Sequence, residues 1–234
     1  MHHREKALIC KKKRIVPMLG IIVMGVSGCM SKQEVDQKAL EKFEEKYGLD
    51  YEVVYNEVID DSLENRDEIH VYVAPYMEEG ESAIIYSWEE DNKAVSEDNL
   101  FGYIIRDEYE QSIMDIVGEK FPQAKIFSSF GAASCFDDSL TQYSTIEDAY
   151  ELGENMVSDA YIYVVTDEEQ EEFDQNCDWI GRQIQEQNYQ LYYEIYPISQ
   201  EDFDRITRVN FKELYNDVEI LLEPYDGYPA TQEG

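Results

Sequence analysis

Apolar positions along the chain recur at two spacings, and each predicts a different element. Over residues 34–47 (EVDQKALEKFEEKY), Ala39, Leu40, Phe43 and Tyr47 share one face at helical spacing, and Gly48 follows as a stop. The runs 51–58 (YEVVYNEV), 68–74 (EIHVYVA) and 83–88 (AIIYSW) are instead rich in β-branched and aromatic residues, and together predict an antiparallel meander. Residues 101–106 read as a strand leading into a helix. The stripe of that helix is Tyr109, Ile113, Ile116 and Val117, and it stops near Pro122, before a strand at 124–130.

Residues 131–144 (GAASCFDDSLTQYS) have neither period and read as a loop. The pattern then predicts a short helix at 146–155, a strand at 160–165 (AYIYVV) and a long helix at 167–188 with the stripe Phe173, Cys177, Ile180 and Ile184. A strand at 189–196, a helix at 200–215 and a last strand at 218–223 complete it, and the tail 226–234 is expected to fray. The joints Tyr103-Ile104-Ile105-Arg106-Asp107-Glu108 and Tyr163-Val164-Val165-Thr166-Asp167-Glu168 look alike. A duplicated β-α-β unit would produce that likeness, and so would any buried strand feeding an acidic helix. The expected fold class is α+β: a mixed β-sheet with packed helices, an early antiparallel meander followed by β-α-β-like units, within one acidic domain at 34–225.

The segment before this domain has a different chemistry. Arg4, Lys6, Lys11, Lys12, Lys13 and Arg14 stand against the single acid Glu5, followed by the apolar run 15–26 (IVPMLGIIVMGV) and by Ser27 and Gly28. That is the order of a secretory signal, and the run falls short of the about 20 apolar residues a bilayer span needs. Val26-Ser27-Gly28-Cys29 resembles the lipobox of bacterial lipoproteins. The resemblance covers the leader alone. It implies a signal peptide at 1–28, cleavage by signal peptidase II, a diacylglyceryl group on Cys29, and a lipidated N-terminus and short linker at 29–33. The chain is then expected on the outer face of the bacterial cell membrane, its partner being the bilayer through lipid on Cys29. Two acyl chains satisfy the requirement for stable anchoring.

Charge narrows the other partners. The chain carries 19 Lys plus Arg against 52 Asp plus Glu, a formal net charge of -33. Losing the leader would remove six of those cations and only Glu5 of the acids, so the mature domain is relatively more acidic still. Nucleic acid is excluded as a partner, because its affinity comes from cations neutralising phosphates. A basic extracytoplasmic protein or peptide is favoured. With 19 Tyr, 9 Phe and 2 Trp, the chain has the apolar surface to fold despite its charge. Many acids have local work: capping-box spacing occurs at Ser31/Glu34, Asp107/Glu110, Thr145/Asp148, Thr166/Glu169 and Ser199/Asp202. Asp60-Asp61, Glu78-Glu79, Glu89-Glu90-Asp91 and Asp137-Asp138 fall in predicted turns and read as solvated.

Candidate chemistry is sparse. After the leader the only histidine is His70, in a strand where alternation sets it with Tyr72 and opposite Ile69, Val71 and Val73. It reads as structural. Cysteine and histidine are too few and too scattered for a zinc site, and phosphate loops, nucleophile elbows and EF-hand loops are missing from the sequence. Cys135 lies in a loop beside Asp137-Asp138, which disfavour the thiolate a nucleophile needs. Cys177 sits on a helical stripe and is expected buried and unpaired, although an exported chain also permits a Cys135–Cys177 bridge. Tyr161, Tyr163, Tyr192, Tyr193 and Tyr196 read either as a sugar-stacking face or as ordinary sheet residues.

No catalytic, cofactor or metal residue is assigned, and the expected function is a non-enzymatic binding or interaction module. Two alternatives stand beside it. One is a carboxylate-based envelope glycan hydrolase, which needs two acids at fixed separation. The other is a small solute-binding lipoprotein, for which a mature length of about 200 residues leaves little room for two lobes.

Overall fold

The computed structural model describes residues 30–58, 67–131, 134–152, 158–187, 189–214 and 217–228. The expected leader, Cys29 and the tail 229–234 lie outside the described residues. Helix α1 (Lys32–Tyr47) starts on a reciprocal capping box, in which the Ser31 N–H donates to the Glu34 carboxylate at 2.8 Å and the Glu34 N–H donates to Ser31 Oγ at 3.4 Å. It ends on Gly48, left-handed at φ 61, whose N–H donates to the Glu44 carbonyl. Val35, Ala39, Phe43 and Tyr47 form its buried face, one residue per turn.

That face packs on a sheet made of β1 (Glu52–Val58), β2 (Asp67–Tyr72), β3 (Ala83–Glu90) and β4 (Lys93–Asp98), antiparallel in the order β1-β2-β3-β4, and mainly on β3 and β4. The predicted meander is present with one strand more. Asp91 and Asn92, at φ 51 and φ 59, make a two-residue hairpin turn, so the pleat continues into β4. Ile69, Val71, Val73 and Ile85 meet Ala39, Phe43 and Tyr47 in a shared core.

Residues 101–106, expected as a strand, are the first turns of α2 (Leu100–Val117). Polar groups at the end of β4 set this start. The Asp98 carboxylate accepts the Leu100 N–H at 3.0 Å, while the Asn99 side chain accepts the Ile84 N–H and donates to the Phe130 carbonyl, both at 2.8 Å. Phe101 and Ile105 then extend the Tyr109-Ile113 stripe backwards by whole turns, and all four are buried. The resemblance between the 103–108 and 163–168 joints is therefore not a structural repeat.

A second four-stranded sheet follows, from β5 (Ala124–Ser129), β6 (Ser158–Val164), β7 (Leu191–Pro197) and β8 (Tyr225–Gly227), in the order β5-β6-β7-β8. Helix α3 (Ile146–Glu151), capped by Thr145 and Asp148, precedes β6. Helix α4 (Gln170–Glu186) links β6 to the parallel β7, the one β-α-β unit among the described residues, while β5 and β8 pair antiparallel at the two edges. The class is α+β, with two sheets where one was expected.

The C-terminal part departs further from the sequence reading. The helix expected at 200–215 is two short pieces, α5 (Gln200–Arg205) and α6 (Phe211–Leu214). Ile206 leaves helical geometry (φ -75, ψ 128) and is buried, and a Thr207–Asn210 turn, closed by the Thr207 N–H donating to Asn210 Oδ1 at 2.7 Å, restarts the chain. In place of a strand at 218–223 there is a single bridge between Ile198 and Ile220. Tyr225–Gly227, at the edge of the expected frayed tail, is strand β8.

One face of the second sheet (Ile126, Ala160, Ile162, Val164, Leu191, Ile195) packs against α2 and α4. Each large apolar side chain buried there contributes roughly 1.5–3 kcal/mol. The opposite face is covered at one end only, where Phe127, Tyr163, Tyr196 and Ile198 meet Ile206 and Phe211. Lys125 ties this cover down by donating to the carbonyls of Phe203 and Ile206, and Arg208 pairs with Glu110. Among the described residues no helix is long and apolar enough to cross a membrane.

Candidate binding cleft

Where the α5–α6 cover stops, the outer face of the second sheet stays open. Strand alternation puts Asp159 and Tyr161 of β6, Tyr192, Glu194 and Tyr196 of β7, and Asp226 of β8 on that face. The register sets Tyr161 opposite Glu194 and Glu194 opposite Asp226, one continuous row across three strands, with Asp159 opposite Tyr192. With Glu223, Pro224 and Tyr228 at the rim, these residues bound a cavity of about 500 Å³.

The walls are aromatic and the charge is all of one sign. Tyr192 is 44% exposed and meets Tyr228, 65% exposed, edge to face at 6.2 Å between ring centroids. Tyr161 lies against Tyr196 on one side and Phe211 on the other, joining the cleft to the covered end of the sheet. Asp159, Glu194, Glu223 and Asp226 line the cavity, and its lining includes no Lys, Arg or His. Burial, then the neighbouring Asp226 and Asp159, hold the Glu194 carboxyl above the ordinary carboxylate range. Its row mate Asp226 sits about 5 Å away at Cβ, the spacing of directly opposed strand residues. Both carboxylates therefore rise from one wall.

Such a site suits a cation. Ring faces attract positive charge, and carboxylates without a counter-charge gain from one. Among the described residues no group of three His, Cys, Asp or Glu side chains is arranged to hold a metal ion.

Of the residues singled out in the sequence, Tyr161, Tyr192 and Tyr196 line this cleft. Tyr163 is buried under α6, its hydroxyl donating to the Phe211 carbonyl at 3.1 Å. Tyr193 also borders the cavity, but its side chain is buried on the α4 side and stacks on Tyr225. The four acids were not singled out, although the outward alternation of DAYIYVV and YYEIY already pairs Asp159 and Glu194 with tyrosines. His70 is in the other sheet. It is buried, with its ring nitrogens 3.0 Å from Ser82 Oγ and 3.3 Å from Glu68 Oε2, and it stacks on Tyr55.

Of the five capping pairs, Ser31/Glu34 and Thr145/Asp148 form full boxes, and Ser199 Oγ accepts the Asp202 N–H at 3.1 Å. Asp107 and Glu110 lie inside α2, and α4 starts after Glu169, so those two pairs do not cap. Asp137 accepts from Ser139 and Asp138 pairs with Lys42 at 2.6 Å.

Cys177 is a fully buried free thiol among Phe173, Ile180 and Ile184, and no disulfide joins it to Cys135. Burial and the nearby Asp174 push the thiol far above its ordinary range. A maleimide added to the native protein is expected to leave Cys177 unmodified and to label it fully in denaturant. Peptide mapping that finds native Cys177 labelled at the rate of an exposed thiol would contradict this packing.

No protein-family model matches the chain, and no curated relative matches it. Among solved structures, a DUF5037 family protein from Ruminococcus gnavus aligns over 86% of this chain and 84% of its own, with 14% sequence identity and a TM-score of 0.40. At that score the similarity carries no conclusion about this chain.

Proposed function

We propose that this chain is a membrane-anchored surface lipoprotein whose domain binds a basic extracytoplasmic protein or peptide in the open cleft of the second sheet, without catalysing a reaction on it. The observation that carries the reading is the cleft lining: four carboxylates and exposed tyrosines with no cation among them. Lysine or arginine side chains of a partner would sit over Tyr192 and Tyr228 and donate charge-assisted hydrogen bonds to Asp159, Glu194 and Asp226. The anchor would be lipid on Cys29. Because α1 begins at Lys32, the linker is short and the domain is held near the bilayer. Replacing Cys29 by Ala is expected to leave uncleaved precursor or shed protein, and an unmodified mature N-terminus elsewhere would remove the anchor from the proposal.

Calorimetry with a lysine-rich peptide tests the cleft. Affinity is expected to fall as salt screens the charges, and to drop about tenfold in a Glu194→Gln, Asp226→Asn variant, equivalent to about 1.4 kcal/mol. Affinity should also weaken as pH falls through the carboxylate range. Glu194 loses its charge at a higher pH than an ordinary glutamate, because burial and the neighbouring Asp226 and Asp159 hold its proton more tightly. Binding indifferent to both salt and the double substitution would refute the reading.

One observation favours the alternative of a glycan hydrolase: a raised carboxyl in a tyrosine-walled cleft is the form a general acid takes. Turnover of a cell-wall glycan that is abolished by Glu194→Gln would decide for it.

A further inference from the structure

A strand at the edge of a sheet leaves a row of backbone donors and acceptors open, and proteins normally blunt such edges. Three of the four edges here are managed. On β4 (KAVSED), half of the residues are charged and Lys42 donates to the Ser96 carbonyl at 3.0 Å. On β5, the Glu110 carboxylate accepts the Ser128 N–H at 2.6 Å. Strand β8 is only three residues long.

The fourth edge, β1, is seven residues (EVVYNEV) without a lysine or proline. Val53, Val54 and Tyr55 are 42%, 54% and 48% exposed. These are three consecutive large apolar side chains, so both faces of the strand are open there. Helix α1 packs mainly on β3 and β4. The pairing of β1 with β2 carries one register shift, between Val53 and Tyr55, which leaves Val54 without an opposite residue; such a bulge bends an edge locally, yet the three side chains here stay exposed.

We infer that the edge of β1, unpaired among the described residues, is a docking site at which a partner protein adds an extended segment of alternating apolar and basic residues as a fifth strand. Backbone hydrogen bonds would supply the affinity, and contacts with Val53, Val54 and Tyr55 the register. Charge selects this occupant. Asp50 and Glu52 are exposed at the start of the strand, and Glu44 and Glu41 of α1 act on the neighbouring Tyr51, whose phenol is raised first by burial and then by those two charges. Lys32, at the start of α1, is already bound to Asp67 of the neighbouring β2 at 2.8 Å. A second copy of the chain would bring like charges together, each molecule having a net charge of -33. This surface belongs to the first sheet and stands independently of the cleft.

The test uses the full-length chain in detergent and two synthetic peptides of equal charge, one alternating lysine and valine, the other with the same lysines interrupted by prolines. Fluorescence anisotropy is expected to show the alternating peptide binding at least about tenfold more tightly, because proline cannot complete a ladder. Backbone amides of residues 53–55 should gain hydrogen-exchange protection in that complex. Val54→Lys should weaken the alternating peptide by a similar factor, with the thermal transition unchanged because Val54 is exposed. Equal binding of the two peptides would overturn the proposal, since it would reduce the effect to charge attraction. Protection confined to β6, β7 and β8, or a peptide-independent dimer protecting residues 53–55, would overturn it as well. If the lysine variant does not fold, the exchange pattern of the unaltered chain decides.

Discussion

Replacing Asp98 by Ala is expected to cost about 3–5 kcal/mol of stability, a large share of the roughly 5–15 kcal/mol that holds a domain of this kind together. Asp98 ends β4 at the point where the first sheet, α1 and α2 meet. Its side chain is 7% exposed and lies 3.0 Å from the ammonium of Lys46, whose own side chain is 4% exposed. The Tyr47 hydroxyl donates to it at 2.7 Å and the Leu100 N–H at 3.0 Å. Burial and the Asp98 charge push the Tyr47 phenol far above its ordinary range, so it remains a donor at any working pH.

Removing the carboxylate would leave a buried cation and two buried donors without an acceptor, and unmet groups of that kind cost more than the intact pair contributes. Urea denaturation followed by circular dichroism measures the loss. A Lys46→Met, Asp98→Leu double substitution should recover part of it, because no buried charge is then stranded, while Tyr47 and Leu100 still lack their acceptor. A loss below about 1 kcal/mol in Asp98→Ala would show that this junction is not a buried ion pair in solution.

The second large effect reverses an ordinary rule. Glycine inside a helix costs about 1 kcal/mol relative to alanine, so Gly102→Ala in α2 would by propensity alone be stabilising. Here a Cβ would lie 2.4 Å from Phe130 Cγ and 2.8 Å from both Phe130 Cβ and Cδ1. A ring can rotate away from an intruder, but its own Cβ cannot. The Phe130 backbone is also held in place, because Asn99 donates to its carbonyl at 2.8 Å. Gly102→Ala is therefore expected to destabilise by about 1–3 kcal/mol through overpacking. Gly131→Ala is the neighbouring control, since nothing lies within 4 Å of a Cβ there and its effect should stay within about 0.5 kcal/mol. Thermal unfolding of the two variants side by side provides the check, and a Gly102→Ala protein as stable as its control would mean that α2 and Phe130 are not in this contact.

Both sites show why some elements were legible in the chain and others were not. Helix α1 and the body of α4 announce themselves through side chains one turn apart, and the α1 ends through Ser31, Glu34 and Gly48, because helix periodicity and capping are made within one segment. The same holds for the alternation that set His70 opposite Ile69 and Val71 and for the stripe that buried Cys177. The start of α2 misled the local reading, since Tyr103-Ile104-Ile105 has strand chemistry. The Asp98 carboxylate accepting the Leu100 N–H, the Asn99 side chain bonded to Ile84 and Phe130, and a close approach to Phe130 make it helix, and apart from the local Asp98 bond those partners are distant in the chain. The break at Ile206 is of the same kind, as that side chain is drawn into a core formed by Tyr163, Tyr196 and Phe211.

The cleft divides along the same line. Sequence alone determined that Tyr161 and Tyr163, and likewise Tyr192, Glu194 and Tyr196, share one side of their strands, because alternation is a property of the backbone itself, but not which side faces outward. Tertiary structure alone decided that the two strands lie parallel side by side, that Asp226 comes to rest beside Glu194 on a third, and that α5 and α6 cover one end of the face and leave the other open. Local geometry is dictated by each residue and its near neighbours, whereas which surfaces meet is settled by burial and hydrogen bonding between segments far apart in the chain.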